Sequence, residues 1–159
     1  MAIGRKLEAG GLVRNDHVSM IGIMDVPSSL GVGRHLLGAL SDQNINVELI
    51  AHLVDLKEKD HIVLCVDRDD LDRAVAVAEI VRDQVGGKTV SDREMALVSL
   101  FTPDSCKRPG VASRIFAALG ERDIPIRGVS TSLSTVACLI KMHHLEDAVQ
   151  ALRAAFTLP

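Results

Sequence analysis

LGVGRHLLGALSDQNINVELI (Leu30–Ile50) aligns without a gap on PGVASRIFAALGERDIPIRGV (Pro109–Val129), 79 positions further along the chain. The offset pairs Gly31 with Gly110, Val32 with Val111, Ala39-Leu40 with Ala118-Leu119, and Ile45 with Ile124. Downstream, VDRDDLDRAV (Val66–Val75) matches IKMHHLEDAV (Ile140–Val149) at an offset of 74. The five-residue difference falls at the polar stretch VDLKEKDH (54–61), which reads as a hairpin turn, because insertions concentrate at loop tips. Upstream, GGLVRNDHVSMIG (Gly10–Gly22) echoes GGKTVSDREMALVSLF (Gly86–Phe101). A tandem repeat decides the architecture before any single element does.

Each copy yields the same series of elements. HVSMIGIM (17–24) and MALVSLF (95–101) are apolar, β-branched runs expected to form buried strands. Val32, Leu36, Leu37 and Leu40 fall at helical spacing, as do Val111, Ile115, Phe116 and Leu119. INVELIAHLV (45–54) and IPIRGVST (124–131) are second strands; HIVLCV (61–66) and TVACLIK (135–141) are third strands. Asp69 and Asp70 precede the helix LDRAVAVAEIVRDQV (71–85) as its expected N-cap, with His143-His144 in that role in the second copy. Gly86-Gly87 ends the helix, and a short strand is expected around Lys88–Val90. The order βαββαβ is that of a ferredoxin-like α+β unit, with an antiparallel sheet and helices on one face. The units are expected at 15–92 and 93–159. The second copy ends at Ala155–Pro159 without an evident fourth strand, so residues 2–14 are expected to supply its edge strand, interleaving the two units.

Composition narrows the function. Net charge is −3, Trp and Tyr are absent and Phe occurs three times, so the chain has neither the charge nor the stacking surface of a nucleic-acid binder. No apolar run approaches the roughly 20 residues of a membrane span, no signal-peptide pattern opens the chain, and a cytoplasmic location is expected. Cys65, Cys106 and Cys138 have neither metal-ligand nor disulfide spacing; Cys65 and Cys138 lie in apolar strands as small buried thiols, and Cys106 stands beside Lys107 and Arg108 without a base. The acidic run Asp67–Asp72 lacks calcium-loop spacing. No nucleophile, base and orienting group converge, so no catalysis, cofactor or metal is expected.

RPGVASRIFAAL followed by IPIRGVSTS, and SLGVGRHLLGAL followed by INVELI, resemble the paired ACT domains at the C-terminal end of aspartate kinases, and especially their separate regulatory (beta) subunit. Ser130-Thr131-Ser132 and the closing LEDAVQALRAAF add to the resemblance, which covers nearly the whole chain. It implies a dimer that binds lysine or threonine where ACT units meet, does no chemistry itself, and shifts the activity of a kinase catalytic subunit in aspartate-family (lysine, threonine, methionine) biosynthesis. The family's Asp-Lys-Pro-Gly loop falls on Ser28-Ser29-Leu30-Gly31, after the additional Asp25-Val26-Pro27; without that insertion Asp25 takes the acidic place. Its Gln-Asn pair falls on His52-Leu53, an Asn on Pro125, and a Glu on Leu133. These replacements favour a second reading, a dimerisation or partner-docking module that kept the fold and lost the pockets.

The candidate site follows from the chemistry of an α-amino acid, which offers a carboxylate beside an ammonium. Unbonded N–H groups at the helix starts, Gly31-Val32 and Gly110-Val111, favour the carboxylate, and glycine allows close approach. Asn46 and Val47 would hold the ammonium, with Asp25, Ser28, Ser29 and Leu30 around the loop and His52 reading the ligand's side chain. The second copy's set is Arg108, Gly110, Val111, Ile124, Pro125 and Ile126.

Overall fold

The computed structural model describes residues 6–103 and 109–159. His17–Glu94 forms one compact unit; the chain up to Asp16 and from Met95 onward forms the other. In chain order the elements are β1 (Leu7–Glu8), β2 (Gly11–Pro27), α1 (Val32–Asp42), β3 (Leu49–Val54), β4 (Lys59–Asp67), α2 (Leu71–Val85), β5 (Lys88–Phe101), α3 (Val111–Gly120), β6 (Gly128–Thr131), β7 (Thr135–Lys141), α4 (Leu145–Ala155) and β8 (Phe156–Thr157). Both units divide within β2 and β5, so each of these strands serves one unit with its first half and the other with its second.

Within the first unit the strand order is β3-β4-β2-β5, and β2 and β3 both run antiparallel to β4. Ile21, Ile23 and Val26 of β2 and Ile62 and Leu64 of β4 share one face with Val32, Leu36 and Leu40 of α1 and the buried side of α2. Burying each such aliphatic side chain contributes about 1.5–3 kcal/mol. Gly87, at φ 87°, closes the turn after α2 directly against β2: a Cβ there would collide with the Met24 carbonyl and lie 2.7 Å from Val26 Cγ2. Only glycine fits both the left-handed backbone and the contact.

The second unit repeats this plan with the order β6-β7-β5-β2. Val98 and Leu100, Val136, Cys138 and Ile140, and the buried faces of α3 and α4 form its core. The part of β2 before His17 stands beside β5, and Gly10 N–H donates to the Phe101 carbonyl at 2.7 Å. The repeat reaches individual backbone conformations. Asn44 (φ 55°) and Asp123 (φ 53°), 79 positions apart, are both left-handed and reverse the chain after α1 and α3. Ile45 N–H then returns to Leu40 O at 2.9 Å, and Ile124 N–H to Leu119 O at 3.0 Å. Asn and Asp are the side chains that adopt this conformation most readily.

Several sequence expectations are corrected. The short strand at Lys88–Val90 and the run Met95–Phe101 are one strand, β5; likewise the stretch around Gly10–Arg14 joins His17–Met24 in β2. The polar stretches between these runs, Asn15-Asp16 and Asp92-Arg93-Glu94, lie outside the expected strands and are extended within β2 and β5 regardless of propensity. The second copy does end in a strand: Leu7↔Phe156 and Glu8↔Thr157 pair in parallel as β1 and β8. Second strands begin later than expected, at Leu49 and Gly128. Phe116 is 46% exposed, because the i, i+4, i+8 row Val111, Ile115, Leu119 already fills the contact. The acceptor at the turn before α2 is Asp67, whose side chain receives Asp69 N–H at 2.8 Å; neither Asp70 nor His144 makes a side-chain cap.

Candidate functional site

Strand directions decide which candidate residues can meet. In the first unit β2 ends at Pro27, paired with Lys59, and Val54 pairs with Asp60, so this end of the sheet carries the α1 N-terminus and the β3–β4 turn. Asp25, Ser28, Ser29, Leu30, Gly31, Val32 and His52 lie here. Asn46 and Val47 follow the C-terminal end of α1 and precede Leu49, which pairs with Cys65; they sit at the opposite end of the sheet. The fold therefore does not bring Asn46 and Val47 to Gly31 within one unit. The second unit separates Gly110 and Val111 from Ile124, Pro125 and Ile126 in the same way, and Arg108 lies outside the described residues. Val32, Val111 and Ile124 are core residues and offer only their backbones; Ile126 and Val47 pack partly against the cores.

Ser28–Leu30 form one turn of 3-10 helix, and Gly31 (φ 63°) redirects the chain into α1. The N-cap residues of α1 and α3 are Gly31 and Gly110 (φ 97°), which have no side chain to cap the helix. The first N–H groups of a helix have no intrahelical acceptor, so each junction presents donors suited to a carboxylate. The Gly31 loop is tied to the β3–β4 turn, since Ser28 N–H donates to Glu58 O at 3.1 Å and Ser28 Oγ to Glu58 Oε2 at 3.5 Å.

Two polar clusters flank this loop on opposite faces of the sheet. Two β2 residues, Met24 and Asp25, lie opposite the single residue His61, a bulge that places Asp25 (φ 60°) on the face away from the helices. Asp25 N–H donates to His61 Nδ1 at 3.3 Å, which leaves Nε2 to donate to Asp55 Oδ2 at 2.9 Å. Asp55 Oδ1 also accepts the amides of Lys57 (2.7 Å) and Lys59 (3.1 Å) and so builds the turn. These bonds, the one from His61 foremost, hold the Asp55 carboxyl below its ordinary range against a smaller opposing effect of burial. Lys88 Nζ lies 4.0 Å from Asp25. Asp25, Asp55 and His61, like His17, Asp67 and Asp69, are close enough together for a cation, but both nitrogens of the His61 ring are already hydrogen-bonded within the protein.

On the helix side the charged group is Asp60. It is 4% exposed, stands in the row of Ile62 and Leu64, and receives His52 Nε2 at 2.8 Å. Asp55, Glu58, Asp60 and His61 were not singled out from sequence, where residues 55–60 read as a turn and His61 as the start of the third strand. The available signal was Asp60 itself, a carboxylate in phase with Ile62, Leu64 and Val66. Cys65 and Cys138 are buried, and desolvation pushes their thiols up to about 12 and about 11. No helix of the described residues is long and apolar enough to cross a membrane.

The repeated βαββαβ unit with a glycine-led helix start defines an ACT-type fold, and residues 98–156 match the family model of the ACT domain. The chain as a whole resembles the regulatory region of aspartate kinases. Over 149 residues it is 33% identical to an aspartate kinase of Pseudomonas fluorescens (strain SBW25), covering 93% of this chain and 36% of that protein. The chain thus spans about a third of the length of the curated relatives it matches. Among solved structures it is similar to a chain of aspartokinase alpha and beta subunits (TM-score 0.85, 28% identity, 92% of this chain and 97% of that one). The ligand-free regulatory subunit of aspartate kinase from Thermus thermophilus shares the fold (TM-score 0.86, 23% identity, 93% and 98% covered).

Proposed function

We propose that this chain is an amino-acid-binding regulatory module of the aspartate family of biosynthesis, working as a homodimer on a kinase catalytic subunit and doing no chemistry itself. The observation that carries this reading is the glycine-led start of α1, whose N-cap residue has no side chain, tied to a polar turn at the same end of the sheet. Its N–H groups suit the ligand carboxylate, and Ser28 stands at the same end to read the rest. Lysine and threonine are the first effectors to test, from the resemblance to aspartate kinases. Asn46 and Val47, at the far end of the sheet, join the site only if a second chain brings them there, as a dimer would. Binding that differs between two arrangements of the subunits is sufficient for regulation.

A second reading has its own support. Ile50, Leu53, Val54 and Leu56 are exposed along or just beyond β3, which ends its unit's strand order, and such an edge suits a protein partner. Thermal unfolding against a panel of amino acids, followed by circular dichroism, separates the two. An effector at 100 times its dissociation constant adds about 2.7 kcal/mol and raises the midpoint. A folded dimer indifferent to every amino acid would leave the docking reading in its place.

A further inference from the structure

We infer that Asp60 is the anionic group that receives the ammonium of the bound amino acid, and that His52 covers Asp60 until the ligand arrives. This rests on the amino-acid-binding reading and adds a residue to the site. Asp60 pairs with Val26 on one side and Val54 on the other, and only 5% of its side chain is exposed. A carboxylate this buried, beside Val26 and in the row of Ile62, is costly unless a donor satisfies it. The donor in this structure is His52 Nε2. The two partners are not equivalent, because the His52 side chain is 43% exposed on the edge strand β3. Its ring can turn out into water at little cost, whereas Asp60 cannot follow, so the bond can be exchanged for a ligand donor.

Placement supplies the other half of the argument. A Cβ on Gly33 would lie 3.8 Å from Ile62 Cδ1, so the first turn of α1 passes over β4 one pleat from Asp60. A partly positive helix start and a buried carboxylate therefore stand close together on one face. An α-amino acid carries the complementary pair, a carboxylate and an ammonium on one carbon. Asp25 cannot supply this charge, since the bulge commits it to the other face with His61 and Lys88. In the second unit the positions of His52 and Asp60 are Thr131 and Ser134, so this site belongs to the first unit alone.

The test is calorimetric titration of the intact chain with L-lysine and L-threonine, and with the 2-hydroxy acid analogue of each, which replaces the ammonium by a hydroxyl. The wild type is expected to prefer the amino acid, and Asp60→Asn to weaken it by about tenfold or more while erasing that preference. His52→Ala is expected to bind at least as tightly as the wild type, since it removes the competing donor. A folded Asp60→Asn that keeps both affinity and preference overturns this inference and leaves the broader reading standing. A wild type that binds neither amino acid removes both. Should Asp60→Asn not fold, the wild type still decides: adding lysine or threonine must shift the Asp60 13Cγ resonance, and an unmoved resonance in a binding-competent chain overturns the assignment.

Discussion

In the first unit the turn between β3 and β4 carries Asp55 and Glu58, with Asp60 and His61 opening β4 and His52 reaching in from the edge strand; in the second, the turn between β6 and β7 is Ser132-Leu133-Ser134. Both turns solve the same backbone problem with a side-chain oxygen. Asp55 Oδ1 accepts the amides of Lys57 and Lys59, and Ser132 Oγ accepts those of Ser134 (3.4 Å) and Thr135 (3.2 Å). The first unit adds charge to this, through Asp55 with His61 and Asp60 with His52. The comparison separates what the repeat needs to fold from what one copy has beyond that. Cores, helix starts and left-handed turns recur, whereas the ionisable groups in and beside this turn are found, among the described residues, in one copy.

The common part is open to the largest effects. Leu36 and Ile115, equivalent positions on α1 and α3, are each at most 1% exposed. Leu36→Ala and Ile115→Ala are expected to cost similar amounts, about 2–5 kcal/mol each, in denaturant unfolding. A large cost at one site and a negligible one at the other would break the structural equivalence. The part that differs comes next. His52→Ala leaves the buried Asp60 without its donor and is expected to cost about 1–3 kcal/mol, towards the lower figure because His52 is partly exposed. Thr131→Ala, at the corresponding place in the second unit, is expected to stay within about 0.5 kcal/mol. Equal costs would mean that the charge in the first unit has no structural weight.

The smallest effect is a pH dependence present in one turn and absent from the other. The folded-state pKa of Asp55 lies below its ordinary 3.8, chiefly through His61, so its contribution is present above that value and is lost as the pH falls through the lowered one. Asp55→Asn is therefore expected to be less stable than the wild type at neutral pH and to converge on it in acid below 3.8. Ser132→Ala should show a difference that does not vary with pH over the same range. A gap for Asp55→Asn that persists unchanged into acid would contradict the role given to the His61 bond.

The fold was legible because it is written twice. Gly31 and Gly110, or Ile45 and Ile124, mean little singly, but at a constant offset they fix the order of elements. The lengths of β2 and β5 were not legible, because Asn15-Asp16 and Asp92-Arg93-Glu94 have loop chemistry yet lie within continuous strands. The candidate site was legible only in its backbone part. Gly31 announced the helix start, but the bulge at Asp25 turns a carboxylate to the far face, and no local pattern signals that reversal. Asn46 was grouped with Gly31 as the opening of the second strand, with an amide for the ammonium; strand direction places the two at opposite ends of α1.

The most direct test of the account is hydrogen exchange, read by mass spectrometry, on the intact chain with and without millimolar L-lysine or L-threonine. The account predicts slowed exchange in Ser28–Arg34 and in His52–His61 of the first unit, with the corresponding β6–β7 turn of the second unit changing less. No change in either segment under an amino acid that raises the unfolding midpoint, or protection confined to the second unit, would contradict it.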